Sequence, residues 1–220
     1  MKKILVAVML SVAFAIAASL VSATELPPAG YSGPVAERPT YVKGDWWRYQ
    51  FKNGEEIRLV FDHQEASPRG DLNVFRYRSG NDNLLLYVTQ GLGTAKRVGA
   101  VTGKVFYDAY EAHPGQTLEE VEFPIWIGKK WEYNQPIRDT DAGVFITAHV
   151  TYEVASYEVL QLKTGTEYEA FKIVRRYETR GSRGNTWRGE ETYWYSPAAK
   201  NVIKFDSDSP KELIAMKVAK

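Results

Sequence analysis

The chain has 220 residues, with 28 Lys and Arg, 27 Asp and Glu, and no cysteine. Its charge is nearly balanced and both signs are interspersed, which excludes the basic stripe that nucleic-acid binding requires. The absence of cysteine excludes disulfides, a thiol nucleophile and thiolate metal sites. A chain of this length can form one large β-domain without cross-links.

The first 23 residues have the pattern of a secretory signal peptide. Lys2 and Lys3 form a short positive region, an almost unbroken apolar run follows, and Val21-Ser22-Ala23 supplies the small residues needed for cleavage. We predict cleavage near Ala23, which would place the remaining chain in the periplasm or outside the cell. The alternative is an uncleaved anchor, because the mainly apolar run of 18 residues over 4–21 lies at the lower limit for spanning a bilayer. No transmembrane segment is expected in the mature chain.

A proline- and glycine-rich stretch at 24–40 predicts an extended lead-in, and we expect a single β-domain over 41–220. The first strands of that domain follow directly. Apolar and polar residues alternate on both sides of Asn53-Gly54, which is the strongest local signal for a hairpin. We expect Asn53 and Gly54 to form a type I′ turn.

Similar alternation continues to the end of the chain and predicts roughly ten strands at regular spacing. One of them, over 144–162, is long enough that we expect a bulge near Ala155-Ser156. The fold class predicted is all-β, an antiparallel meander forming a curved sheet or open barrel. The form Gly-x-x-Trp-x-Tyr occurs at 44–49 and again at 128–133, which indicates either two similar halves or a chance recurrence.

No local catalytic motif is present, and no catalytic residue, metal ligand or cofactor is predicted. The three histidines, His63, His113 and His149, lack the spacing of common zinc motifs. Glu190-Glu191 stands beside two aromatic residues, as in a glycosidase, but neighbours on a strand face opposite sides. We therefore interpret both carboxylates as part of a solvated strand edge. A site assembled from distant residues is left open.

The aromatic residues divide into two groups by their phase in the alternation. We expect those in phase with the apolar positions to fill the core-facing side of the sheet. This structural group comprises Trp47, Tyr49, Trp131, Tyr133 and Trp194. Trp46 and Trp126 are out of phase at the starts of strands, so they are the candidate ligand-binding residues, at a cavity mouth or an exposed groove.

The second half of the chain carries a family resemblance. Residues 159–173, then Thr192-Tyr193-Trp194-Tyr195-Ser196-Pro197 and 201–204, resemble a recurring pattern in exported bacterial proteins of unknown function. The segment 123–133, which contains Gly-x-x-Trp-x-Tyr, is similar to the segment that leads into a strand in those proteins. Those families in turn resemble the curved half-barrel of periplasmic lipoprotein carriers and related lipid-handling proteins. The likeness covers about 95 residues, and its motifs mark turns and core aromatics, so it implies fold more than function.

Three functions follow as hypotheses. The first is a non-enzymatic binding protein of the bacterial cell envelope that holds an apolar or lipid-like ligand on the concave face of the sheet. The second is an accessory or scaffold protein that contacts another envelope protein through an exposed patch or strand edge. The third, and the least favoured, is a hydrolase of carbohydrate or peptide, which would need polar groups converging in a cleft.

Overall fold

The structure is a computed structural model that describes residues 25–109, 119–139, 144–180, 184 and 186–220. The predicted signal peptide, 1–23, and His113 lie outside these ranges. Within them the structure contains no helix that is both long and apolar enough to cross a membrane. The described strands are β1 (Val35–Ala36), β2 (Trp46–Phe51), β3 (Glu56–Glu65), β4 (Leu72–Ser79), β5 (Asp82–Val88), β6 (Thr94–Gly99), β7 (Val105–Asp108), β8 (Ile125–Trp126), β9 (Lys130–Asp139), β10 (Val144–Gln161), β11 (Glu167–Arg180), β12 (Thr186–Ser196), β13 (Asn201–Asp206) and β14 (Lys211–Lys217).

Twelve of these strands form one antiparallel sheet in the order β7-β6-β5-β4-β3-β2-β14-β13-β12-β11-β10-β9, and β1 pairs with β8 in a separate two-stranded sheet. The large sheet consists of two meanders, β2–β7 and β9–β14, which are joined where β14 pairs with β2. The edge strands β7 and β9 do not pair with each other, so the sheet stays open. The predicted all-β antiparallel fold is confirmed.

The described residues contain fourteen strands rather than about ten. Part of the difference lies at 94–108, where the structure has two short strands, β6 and β7, separated by a turn in which Gly103 has a φ of 66°. The sequence of β6, Thr-Ala-Lys-Arg-Val-Gly, has no regular apolar alternation, so it gives no strand signal.

The first hairpin is present, but its predicted type I′ turn is wrong. The Gly54 N–H donates to the Phe51 carbonyl, so Lys52 and Asn53 are the central residues of the turn. Gly54 has a φ of 89°, whereas Asn53 is not among the residues with positive φ. This is a type I turn followed by a left-handed glycine, the usual three-residue hairpin loop. Because only one residue needs a positive φ, glycine alone suffices.

The long strand β10 bends where the sequence predicted a bulge. Its pairing with β11 shifts register between Val154 and Ser156, so the extra residue is Ala155. A strand of 18 residues needs such a device, because twist accumulates along its length and must be redirected to keep one face on the core.

The first meander begins with a glycine that bonds to the neighbouring strand. Gly44 has a φ of 95° and donates its N–H to the Phe61 carbonyl over 3.0 Å. The Phe61 N–H donates in return to the Asp45 carbonyl over 2.8 Å. A register shift in β3 follows directly after Phe61. The glycine therefore closes the pairing of β2 with β3 at the bulge.

The second meander repeats this arrangement. Gly128 has a φ of 92° and donates its N–H to the Val154 carbonyl over 2.8 Å, while the Val154 N–H donates to the Lys129 carbonyl over 2.9 Å. Val154 likewise stands immediately before the register shift of its strand. Both meanders thus begin with the same local structure, and the recurring Gly-x-x-Trp-x-Tyr marks it.

The concave face of the second meander is covered, and that of the first is covered only in part. Val121, Phe123, Ile125 and Ala36 are buried against the second meander. In the first meander, Tyr41 packs against one end of the corresponding face. Over β3–β5 several inward-facing apolar side chains are only half buried. The two halves therefore differ in how completely their inner face is filled.

The two tryptophans of the repeat make a matched test of this packing. The Trp47 Nε1–H donates to the Ala199 carbonyl over 2.7 Å, whereas the buried Trp131 Nε1 has no acceptor among the described residues. We expect Trp47→Phe to lower the free energy of unfolding by about 1–3 kcal/mol more than Trp131→Phe, because only the first leaves a buried carbonyl without its donor. Urea unfolding followed by circular dichroism measures both, and equal losses would contradict the assignment.

Candidate functional site

A cavity of about 490 Å³ lies on the concave face of the sheet, between the first meander and the end of the second. The pattern of pairing explains its apolar wall, because directly paired residues in antiparallel strands project to the same face. Phe75 pairs with Phe61 on one side and Leu86 on the other, and Tyr77 pairs with Leu59 and Leu84. The apolar lining consists of Phe51, Ile57, Leu59, Phe75, Tyr77, Leu84, Leu86, Val88, Leu92 and Phe205.

Most of these apolar side chains keep part of their surface exposed to the cavity. Leu59, Tyr77, Leu84 and Leu86 are all half buried, although their alternation with polar neighbours is typical of core positions. An apolar wall without covering side chains forgoes the burial that normally stabilises such residues, roughly 25 cal/mol per Å². This wall therefore retains the capacity to bury an apolar molecule.

One carboxylate of the cavity lining, Glu191, is held in an ion pair. The Arg175 Nη1 lies 2.6 Å from the Glu191 Oε2, and the same oxygen accepts a hydrogen bond of 2.7 Å from the Tyr193 hydroxyl. The two charged side chains are only 13% and 18% exposed. Arg175 pairs with Glu191 across the β11–β12 ladder, and Ile173 pairs with Tyr193 next to it. The charge of Glu191 is thus neutralised within the wall.

Four further charged groups line the cavity without a direct ion pair among the described residues, Glu120, Lys211, Arg97 and Asp82. Of these, Glu120 and Lys211 are the less exposed. Burial raises the pKa of the Glu120 carboxyl, and the positive charges of Arg175 and Lys211 oppose that shift only in part. Burial lowers the pKa of the Lys211 ammonium, against the opposing effect of Glu120, and the charge of Arg97 lowers it further. Both groups are therefore held in surroundings that disfavour their charged forms.

The candidate ligand-binding residues of the sequence do not lie together and do not line this cavity. Trp46 is on the face opposite to Trp47, half buried, with the Arg58 guanidinium 5.0 Å from its ring centroid. Trp126 is 3% exposed in β8, and the Lys129 ammonium lies 4.8 Å from its ring. A ligand role for either tryptophan stays a prediction, and any such ligand would bind outside this cavity.

The five aromatic residues predicted as structural are placed in two ways. Trp47, Tyr49 and Trp131 are buried on the concave face, and the half-buried Tyr133 donates a hydrogen bond of 2.8 Å to Glu122. The fifth, Trp194, is also buried, but β12 turns it to the face opposite to its neighbours. Its Nε1–H donates to Glu158 over 2.7 Å there.

The sequence interpretation of Glu190 and Glu191 as one solvated edge is wrong for the second. Strand β12 lies inside the sheet between β11 and β13. Glu190 faces outward and pairs with Arg176 over 2.8 Å, whereas Glu191 faces the cavity and pairs with Arg175. The signal that could have found this is the complementary doublet Arg175-Arg176, because adjacent strands can match two arginines to two glutamates.

Among the described residues no group of three His, Asp or Glu side chains is arranged to hold a metal ion. His63 and His149 are exposed, and each lies within 4 Å of a carboxylate on the surface, Asp62 in the first case and Glu132 in the second. Neither histidine lines the cavity. The chemistry that the described site offers is therefore apolar contact together with a few fixed charges.

No protein-family model matches this chain, and no curated protein matches it. Solved structures show a limited likeness. The lipoprotein YmcC of Escherichia coli, called hypothetical, is 15% identical with a TM-score of 0.45, over 83% of this chain and 90% of that one. A protein of Bacteroides fragilis, described as exported with a YmcC-like fold, is 12% identical with a TM-score of 0.40, over 83% of this chain and 99% of that one.

The neighbouring residues Arg175 and Arg176 allow a matched test of the buried ion pair between Arg175 and Glu191. We expect Arg175→Met to lower the free energy of unfolding by about 3 kcal/mol, because it leaves the Glu191 carboxylate without its counter-charge inside the wall. Arg176→Met breaks only exposed pairs, with Glu190 and Glu153, and should cost less than about 1 kcal/mol. Chemical denaturation gives both values, and equal losses would show that Glu191 is solvated.

The raised pKa of Glu120 gives a pH-dependent expectation for stability. An unfolded glutamate titrates near 4.3, so above that pH the unfolded chain ionises freely, whereas the surroundings of Glu120 disfavour the same charge in the folded protein. This difference lowers the stability of the folded state as the pH rises above about 4.3. Glu120→Gln should therefore raise the melting temperature at pH 7, and the gain should fade as the pH falls toward about 4.3. Glu190→Gln, on the outer face, should change stability by less than about 0.5 kcal/mol. A gain from Glu120→Gln that persists at pH 4 would contradict the sign.

Proposed function

We propose that this protein is an exported, non-enzymatic binding protein of the bacterial envelope that holds an apolar or lipid-like molecule in the concave cavity. The observation that carries the proposal is the half-buried apolar wall of β3–β5 facing a volume of about 490 Å³. That volume falls in the range of about 300–1,000 Å³ of ordinary small-molecule sites, which are mainly apolar with a few placed polar groups. The signal-like first 23 residues support export.

A second candidate is contact with another envelope protein through the edge strand β7. Val105 and Phe106 are exposed there, Phe106 by 58%, and Val101 is exposed in the preceding turn. Apolar side chains on the edge strand of an open sheet offer both a surface and unpaired backbone groups. This candidate would use the outer edge of the sheet and would not need the cavity.

Filling the cavity tests the first proposal against a control on the same strand. Leu86 faces the cavity between Phe75 and Arg97, whereas Leu85 faces outward between Arg76 and Val98. The probe is N-phenyl-1-naphthylamine, a neutral dye whose fluorescence rises in apolar surroundings. We expect Leu86→Trp to weaken dye binding at least about tenfold by occupying the volume, and Leu85→Trp to leave it unchanged.

Native mass spectrometry of the exported protein gives an independent measurement. An added mass that denaturation releases as an apolar molecule, present on the Leu85→Trp protein and absent from the Leu86→Trp protein, would support the cavity as the binding site. Circular dichroism should first show that both variants fold. Equal dye binding by the two variants would overturn the proposal and direct attention to the β7 edge.

A further inference from the structure

We propose that the ligand is a single-chain amphiphile with an anionic head group, its chain lying on the apolar wall and its head group between Lys211 and Arg97. This inference rests on the proposed function and names the class of ligand for the same cavity. The two cations come from strands far apart in the sheet. Lys211 is in β14 and Arg97 is in β6, with four strands between them. The curvature of the sheet brings both side chains to one cavity.

Lys211 lies between two aromatic rings in the lining of the cavity. Its Nζ lies 4.2 Å from the ring centroid of Phe205 and 5.7 Å from that of Phe51. These rings flank it because Lys211 pairs with Phe205 in β13 and with Phe51 in β2. Aromatic faces stabilise a cation without neutralising it, and no carboxylate of the described residues lies within ion-pair distance.

Arg97 adds a second positive charge on the opposite wall. It pairs with Leu86, so its side chain projects to the same face as the apolar lining, and its guanidinium lies 5.9 Å from the Tyr107 ring. Its charge is near enough to Lys211 to disfavour the protonated ammonium. Two cations that repel each other across a cavity are both stabilised by an anion placed between them.

The charges that line the cavity are balanced in the absence of a ligand. Arg175 and Glu191 neutralise each other, which leaves Lys211 and Arg97 against Glu120 and Asp82. Arg97 and Asp82, the first residue of β5, are exposed, so Lys211 and Glu120 are the charges of the less exposed part of the lining. Glu120 is the internal counter-charge to Lys211 in the absence of a ligand. An anionic head group would compete with Glu120 for that ammonium, so removing the carboxylate should strengthen binding.

Displacement of N-phenyl-1-naphthylamine by four amphiphiles with the same twelve-carbon chain tests the inference. These are dodecanoate, dodecyl phosphate, dodecanol and dodecyltrimethylammonium, each below its aggregation concentration. We expect the two anions to bind about tenfold more tightly than the alcohol, the scale of one charge-assisted hydrogen bond. Whichever anion binds more tightly identifies the head group as a carboxylate or a phosphate.

Variants then assign the preference to the two cations. Lys211→Met and Arg97→Met should each remove most of the preference for anions, measured for each variant as the ratio of its affinities for the anion and for dodecanol. Lys211→Arg should keep it, and Glu120→Gln should increase it severalfold. Lys204→Met, which removes a lysine from the outer face over Trp194, is the control and should change nothing.

The outcomes separate the two proposals. If dodecanol binds as tightly as the anions, or if the cationic amphiphile binds best, the inference is overturned and the apolar cavity stands. If no amphiphile displaces the dye and Leu86→Trp has no effect on dye binding, the proposed function itself fails. Loss of anion preference in the Lys204→Met protein would also overturn the inference, because it would reflect net charge rather than this site.

Discussion

The antiparallel pairing of β14 with β2 is the contact on which the rest of the structure depends. It joins a meander that begins near the start of the described chain to one that finishes at its far end. Two side chains reinforce the junction, since Trp47 and Tyr49 donate to the Ala199 and Val202 carbonyls over 2.7 and 2.8 Å. Without this pairing each half would be a separate six-stranded sheet, and Lys211 would have no place beside Phe51.

The two meanders share their opening geometry but differ in how their inner faces are used. In the second, the segment around Phe123 and Ile125 packs on the sheet and completes a conventional core. In the first, the apolar wall of β3–β5 is left half buried beside a small group of charges. Such a site costs stability, because apolar surface stays wet and charged groups are partly desolvated. That cost is typical of binding sites rather than of structural cores.

Much of the fold could be predicted because its signals are local. Alternation identified most strands, the left-handed glycine marked the first hairpin, and the length of β10 indicated its bulge at Ala155. The predicted type I′ turn at Gly54 was wrong because the dipeptide Asn53-Gly54 suits two hairpin loops of different length. The site was harder to predict. Leu86 and its neighbours have the same alternation as core residues, so the sequence did not distinguish a cavity wall from a core. Trp46 and Trp126 do not line the cavity, and their ligand role stays a prediction.

The sequence by itself determined that this chain forms antiparallel strands, where they turn, and which residues along each strand share a face. A period of two and a glycine with positive φ are properties of the local backbone, so they can be read without knowing the neighbours. Only the tertiary structure decided which strand lies opposite which, which half of the inner face is covered, and that Glu191 meets Arg175 in the cavity wall. Those outcomes depend on register and curvature, which arise from contacts between residues distant in the chain.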